Sequence, residues 1–208
     1  RVAERYHSLV RYYTPLNEPM VNAEFCGQRG EWPPYLTGED GRTKLTLALA
    51  RGIVETVRAL KAVQPDCVTV QVEALWRNWT QDPALAAEVS LNNARQYLSY
   101  DLCTGQVGEA HPLWTTLCQQ GMKEADFRWF AEHATCFDIF GANFYPWSYG
   151  EVALGRDGKP RRLKAPTSGL AIGEVLREAA EHTGLPVMVT ETSAKDTVEG
   201  RARWMVET

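Results

Sequence analysis

The 208-residue sequence has no apolar run near the ~20 residues that a membrane-spanning helix needs. No leader is read at its start, and its opening on Arg1 leaves room for one upstream. It has no C-x-x-C pair. The five cysteines, Cys26, Cys67, Cys103, Cys118 and Cys136, are odd in number. That argues against a disulfide framework or a zinc site and fits reduced thiols in the cytoplasm. His7, His111, His133 and His182 show no ligand spacing, so no metal is read. There is no G-x-G-x-x-G or P-loop pattern, which leaves phosphate and nucleotide binding without support. Basic residues are not in excess: 22 Lys and Arg stand against 26 Asp and Glu, for a net charge of −4. A nucleic-acid partner needs clustered positive charge. The one compact basic run, Lys159-Pro160-Arg161-Arg162 with Lys164 after it, reads as a solvated loop. Neither an internal repeat nor a low-complexity tract is found.

What is present is ordinary for a globular protein: 44% hydrophobic, 10% aromatic and 23% charged residues. The length suits one domain or at most two. Four short segments, Val10–Leu16, Cys67–Glu73, Phe137–Phe144 and Pro186–Thr190, read as buried parallel strands covered on both faces. Helical patterns lie between them. Over Thr43–Val63, Leu45, Leu49, Ile53, Val57 and Leu60 form one apolar stripe, and Pro65 stops it. Lys123–His133 carries Phe127 and Phe130 on one side. Ser168–His182 ends at Gly184, where a glycine cap belongs. Short helices are expected over Arg1–Ser8 and from Asp196 onward. Alternating strands and helices imply a parallel α/β sheet, open or closed into a barrel. The loops after the first and third strands are long and aromatic, with Phe25, Trp32 and Tyr35, then Tyr145, Trp147 and Tyr149. Barrel enzymes keep their sites in such loops.

Two of the strands end in a carboxylate. The first closes with Thr14-Pro15-Leu16-Asn17-Glu18-Pro19, and the last with Val187-Met188-Val189-Thr190-Glu191-Thr192. A pair of carboxyl groups is the minimum equipment for cleaving a glycosidic bond, one donating a proton and the other attacking the anomeric carbon. A separation of ~5–5.5 Å gives retention of configuration, and ~6.5–9.5 Å gives inversion.

These residues resemble glycoside hydrolase family 1, the β-glucosidase family. Its acid/base motif is T-x-N-E-P, and Thr14–Pro19 shares N-E-P in register with the threonine one place early. Ala3-Glu4-Arg5-Tyr6 and Val10-Arg11-Tyr12-Tyr13 are similar to the approach to that motif. The stretch from Phe25 to Pro34 resembles the family's glycine- and proline-punctuated loop. Phe137-Asp138-Ile139-Phe140-Gly141-Ala142-Asn143-Phe144-Tyr145 resembles its D-F-I-G-x-N-Y-Y segment. At the nucleophile the family has T-E-N-G where this chain has Thr190-Glu191-Thr192-Ser193. The resemblance implies a (β/α)₈ barrel, of which residues 1–208 form one partial domain holding about strands four to seven. It implies Glu18 as acid/base, Glu191 as nucleophile, Asn17 on the sugar 2-hydroxyl, Asn143 in the sugar subsite, and Tyr145 donating a hydrogen bond that orients Glu191. The implied activity is that of a retaining β-glycosidase hydrolase of carbohydrate metabolism, acting on a small saccharide or glycoside. It needs no cofactor, nucleic acid or membrane.

Blander readings stand beside these. Asn143 and Tyr145 also suit turn chemistry and core packing. Glu73 ends a strand and reads either as a substrate-binding acid or as a salt-bridge partner of Arg77. Asn78-Trp79-Thr80 is a formal glycosylation sequon that matters only in a secreted protein. The altered turn after Glu191 also leaves open a catalytically inactive sugar-binding or regulatory barrel.

Overall fold

The computed structural model describes residues 1–163 and 169–208. The first helix α1 (Val2–Tyr6) leads to strand β1 (Tyr12–Tyr13), helix α2 (Pro19–Asn22) and a π-helical turn, Ala23–Gln28. Then come α3 (Gly38–Val63), β2 (Val68–Ala74), β3 (Arg77–Trp79), α4 (Ala86–Arg95), α5 (Leu98–Cys103), α6 (Trp114–Gln119) and α7 (Glu124–Glu132). The last part holds β4 (Ile139–Asn143), β5 (Tyr149–Leu154), β6 (Pro160–Arg162), α8 (Ala171–Thr183), β7 (Val187–Glu191) and α9 (Val198–Glu207). Two compact units result: Arg1–Glu73 with Tyr97–Ile139, and Ala74–Gln96 with Phe140–Thr208.

In the first unit β1 and β2 pair in parallel, Tyr12 with Val68 and Tyr13 with Thr69. Helix α3 forms where the apolar stripe was read and starts five residues earlier. Glu39 and Asp40 in its first turn suit the positive end of the helix dipole. It stops at Gln64, which takes an extended φ of −135° as the residue before Pro65 must. Ala50, Ile53, Val54 and Val57 bury its inner face. The rest of this core comes from Cys67, Val70 and Val72 of β2, Leu102 of α5, and Phe127 and Phe130 of α7. A buried side chain of this size contributes about 1.5–3 kcal/mol over leaving it exposed. Gly27 of the π-helical turn and Gly41 of α3 let two backbones meet: a Cβ on Gly41 would collide with the Gly27 carbonyl oxygen. Asp138 ties the strand edge to α3. Its Oδ2 accepts from Thr69 N at 2.7 Å, Thr69 Oγ1 at 2.9 Å and Lys61 Nζ at 3.1 Å.

In the second unit β4 and β7 pair in parallel from Phe140–Val187 through Ala142–Val189. A separate three-stranded sheet joins β3 to β5 in parallel and β5 to β6 antiparallel. The sequence reading missed this sheet. The basic run is thus an exposed edge strand over Pro160–Arg162, not a loop, while Lys164 lies outside the described residues. Helix α8 buries Ile172, Val175 and Ala179 and ends on Gly184 at φ 68°, as the glycine cap requires. Ser168, its expected start, is outside the described residues. In α9 the Thr197 side chain caps Gly200 N at 3.1 Å. The sequon asparagine is not offered to solvent, because Asn78 is buried and its Nδ2 donates to Asn92 Oδ1 at 2.7 Å.

Two strands differ from expectation. Val10–Leu16 was read as buried, but only Tyr12–Tyr13 is strand, and Tyr12 is 60% exposed. On β7, Met188 is 43% and Val189 38% exposed. The reason is shared: β1 and β7 are edge strands, with one strand neighbour each among the described residues.

The α3 glycines give a paired test. Gly41→Ala should destabilise by about 1–3 kcal/mol, since backbone must move. Gly52→Ala, exposed and with open space around its Cβ, should stabilise by about 0.4–1 kcal/mol. Urea unfolding of both variants checks the sign of each.

Candidate active site

In the first unit the chain beyond β1 stays beside β2. Asn17 forms an isolated parallel bridge with Val72, and Glu18 N donates to Val72 O at 3.1 Å. Glu18 is left-handed, at φ 48° and ψ 57°. For a residue with a Cβ this costs about 1–2 kcal/mol, so the surroundings must enforce it. Pro19 enforces it from one side by fixing the first position of α2. Asn22 does so from the other: its Nδ2 donates to the carbonyls of Asn17 and Glu18, each at 3.0 Å. Asn17 is exposed and Glu18 half-buried. The π-helical turn follows at once, a geometry often found at functional sites.

Glu73 lies inside the same unit, at the carboxyl end of β2. It is fully buried, and it does not pair with Arg77. Arg77 instead bridges Glu174 and Glu178 of α8. The Ser99 hydroxyl donates to Glu73 Oε1 and itself accepts from Gln71 Nε2 at 2.9 Å. Met20 N faces Glu73 Oε2 at a long 3.5 Å. Burial raises the Glu73 carboxyl to about 8, against the pull of the Ser99 and Met20 hydrogen bonds, with the Glu18 charge adding to the rise.

The second unit gathers the remaining three expected residues. The β4–β7 register shifts after Ala142–Val189, so Asn143 pairs with Glu191 and Thr190 becomes an extra residue. The Thr190 hydroxyl turns to Asn143 Oδ1 at 2.6 Å, and Asn143 is fully buried. Glu191 is exposed at the strand's carboxyl end, with its backbone oxygen held by Phe144 N at 2.9 Å. The Tyr145 hydroxyl donates to Glu191 Oε2 at 2.6 Å, the contact that the sequence resemblance implies. Tyr145 stacks on Trp147 at 4.7 Å and 6°, and Lys195 Nζ sits 5.5 Å over the Trp147 ring. The unusual Thr192 has a partner of its own, since Trp204 Nε1 of α9 donates to its hydroxyl at 2.7 Å.

Thus Asn17 and Glu18 come together in the first unit, and Asn143, Tyr145 and Glu191 in the second. Sequence reasoning missed the burial of Glu73, the Lys195 contact on Trp147 and the Trp204 anchor. Glu73 carried a signal as a charge ending an apolar strand, and Trp147 as part of an aromatic loop.

No family model and no curated protein sequence matches the chain. Solved structures do. A family 1 β-glucosidase from Thermotoga maritima aligns with 98% of this chain and 50% of its own, at TM-score 0.82 and 16% identity. A family 1 β-glucosidase from Thermotoga maritima in complex with isofagomine lactam gives 0.82 and 16%, over 98% of this chain and 51% of that one. The β-glucosidase from Thermotoga maritima in complex with castanospermine gives 0.79 and 18%, over 93% and 46%. The fold is that of about half a family 1 β-glucosidase. It is therefore the partial (β/α)₈ barrel read from the sequence, and the chain spans about half the length of the solved structures it matches.

The Glu73 carboxyl yields a pH test. Unfolded, it titrates near 4.5; folded, near 8. Between those values the folded state keeps a proton that the unfolded state releases, so stability falls as pH rises through the window and levels off above it. The decline is on the order of a few kcal/mol. Glu73→Gln, neutral at every pH, should match the parent near pH 4.5 and exceed it at pH 8 in urea unfolding. Parallel curves at the two pH values would count against a protonated Glu73.

Proposed function

We propose that the chain is part of a retaining β-glycosidase in which Glu191 is the nucleophile and Glu18 the acid/base. The observation that carries this reading is the Tyr145–Glu191 hydrogen bond at the carboxyl end of β7. It orients a carboxylate on a strand whose counterpart fold is a β-glucosidase. Glu191 attacks the anomeric carbon while Glu18 gives its proton to the departing oxygen, and the glycosidic C–O bond breaks. The glycosyl ester is then opened by water, whose proton passes to Glu18 as the new C–O bond forms and Glu191 leaves. Asn17 binds the sugar 2-hydroxyl, and Asn143 belongs to the sugar subsite beside Thr190. Residues 1–208 are one partial barrel domain in this reading, and the ligand is a small saccharide or glycoside. Five free cysteines suit a cytoplasmic protein, and no helix among the described residues is long and apolar enough to cross a membrane.

One observation favours a second reading. The turn after Glu191 reads Thr192-Ser193 where the family has N-G, and Trp204 fixes this altered turn through Thr192; the departure suits a barrel that binds saccharide without turning it over.

Glu18→Ala in the full-length protein separates the two. Loss of the general acid should lower kcat/KM on an alkyl β-glucoside about 10²–10⁴-fold, with far less effect on kcat/KM for an aryl glucoside whose leaving group needs no proton. On the aryl glucoside kcat falls, because the base of the second step is gone. Azide should restore turnover and yield the β-glycosyl azide. A parent protein with no turnover on either substrate, yet binding saccharide, sinks the catalytic reading in favour of the second.

A further inference from the structure

A fully buried carboxyl group is expensive to keep, and an apolar residue of similar size would fill the same space without that cost. Glu73 is nonetheless found under the turn that carries Glu18. Val72, its neighbour on β2, receives both the Asn17 bridge and the Glu18 amide, so β2 sets the backbone of that turn. The turn opens helix α2, whose first amides have no acceptor within the helix. Glu18 occupies the N-cap position but makes no capping hydrogen bond with its side chain. The acceptor comes instead from another element, since Glu73 Oε2 faces Met20 N. Ser99 of α5 and Gln71 of β2 fix the Glu73 carboxyl in that orientation.

We propose that Glu73 is a positioning residue for Glu18, supplying from the interior the cap that the Glu18 side chain does not make. The proposal rests on the acid/base reading of Glu18. The raised pKa of the Glu73 carboxyl is in keeping with the role, because a neutral acid puts no second negative charge beside Glu18.

A residue that aims a general acid leaves a signature that mere packing does not. When the acid is misplaced, the first step slows for substrates needing proton donation and not for activated ones. Glu73→Leu fills the volume but accepts no hydrogen bond. In the full-length protein it should lower kcat/KM, which reports the glycosylation step, on an alkyl β-glucoside at least about tenfold more than on a dinitrophenyl β-glucoside, a displacement of ~1 Å being enough for such losses. Glu73→Gln can accept from Met20 N while donating to Ser99 Oγ, and should recover most of the difference. Ser99→Ala, which loosens Glu73 without removing it, should give a smaller loss in the same direction. Equal losses on both substrates for Glu73→Leu and Ser99→Ala would reduce Glu73 to a packing residue and overturn the proposal. Glu18→Ala, measured alongside, keeps the two ideas apart. If it too is indifferent to the leaving group, the acid/base reading fails and takes this proposal with it. If it is sensitive and Glu73→Leu is not, only the positioning role fails.

Discussion

Backbone pairing between parallel strands is the constraint on which both candidate carboxylates depend. The Glu18 amide is bonded to Val72 O, and the Glu191 carbonyl accepts from Phe144 N. A side chain can hold a geometry only as well as its own Cα is held, and in each unit the neighbouring strand supplies that anchor. The details then diverge. Glu18 is bent into a left-handed conformation just after the Asn17 bridge to β2, braced by Pro19 and Asn22. Glu191 stays in strand geometry, and an extra residue in its register, Thr190, sets its phase against β4. Local strain and a bulge are two routes to one result, a carboxyl group presented at a strand's carboxyl end.

The surroundings of the two carboxyl groups also contrast. Around Glu191 there are aromatic rings and donors: the Tyr145 hydroxyl, the stacked Trp147 face and Lys195 above it. Around Glu18 the interior holds another acid. Burial keeps the Glu73 proton in place, and Ser99 and Gln71 orient the group. An ionised Glu73 would place uncompensated charge in the core, so its proton is part of the fold.

Much of this could be read from the sequence, for reasons that belong to particular residues. Helices α3 and α8 have one buried stripe each, and Pro65 and Gly184 mark their ends. The carboxylate-ending strands were legible because polar residues there interrupt apolar runs. Helix α5 was not, since all six of its residues are buried and a helix without a polar face shows no period. Strands β3 and β6 have three residues each, too few for alternation to register, and their pairing with β5 is a nonlocal fact. Glu73 stood at a strand end with Arg77 four residues on, and a local ion pair was a fair reading. What decided otherwise was Ser99, 26 residues away, together with the capture of Arg77 by α8. The turn Glu191-Thr192-Ser193 departs from the β-glucosidase pattern, and its anchor, Trp204, lies one helix further along the chain.

The central claim is that Glu191 forms a covalent bond to sugar. Incubating the full-length protein with a 2-deoxy-2-fluoro β-glucoside that bears a good leaving group tests it directly, because fluorine slows breakdown of the glycosyl ester. The account predicts one added sugar mass on the peptide containing Glu191, and none in Glu191→Gln. An unlabelled parent protein that still binds saccharide, or a label on another residue, would contradict it.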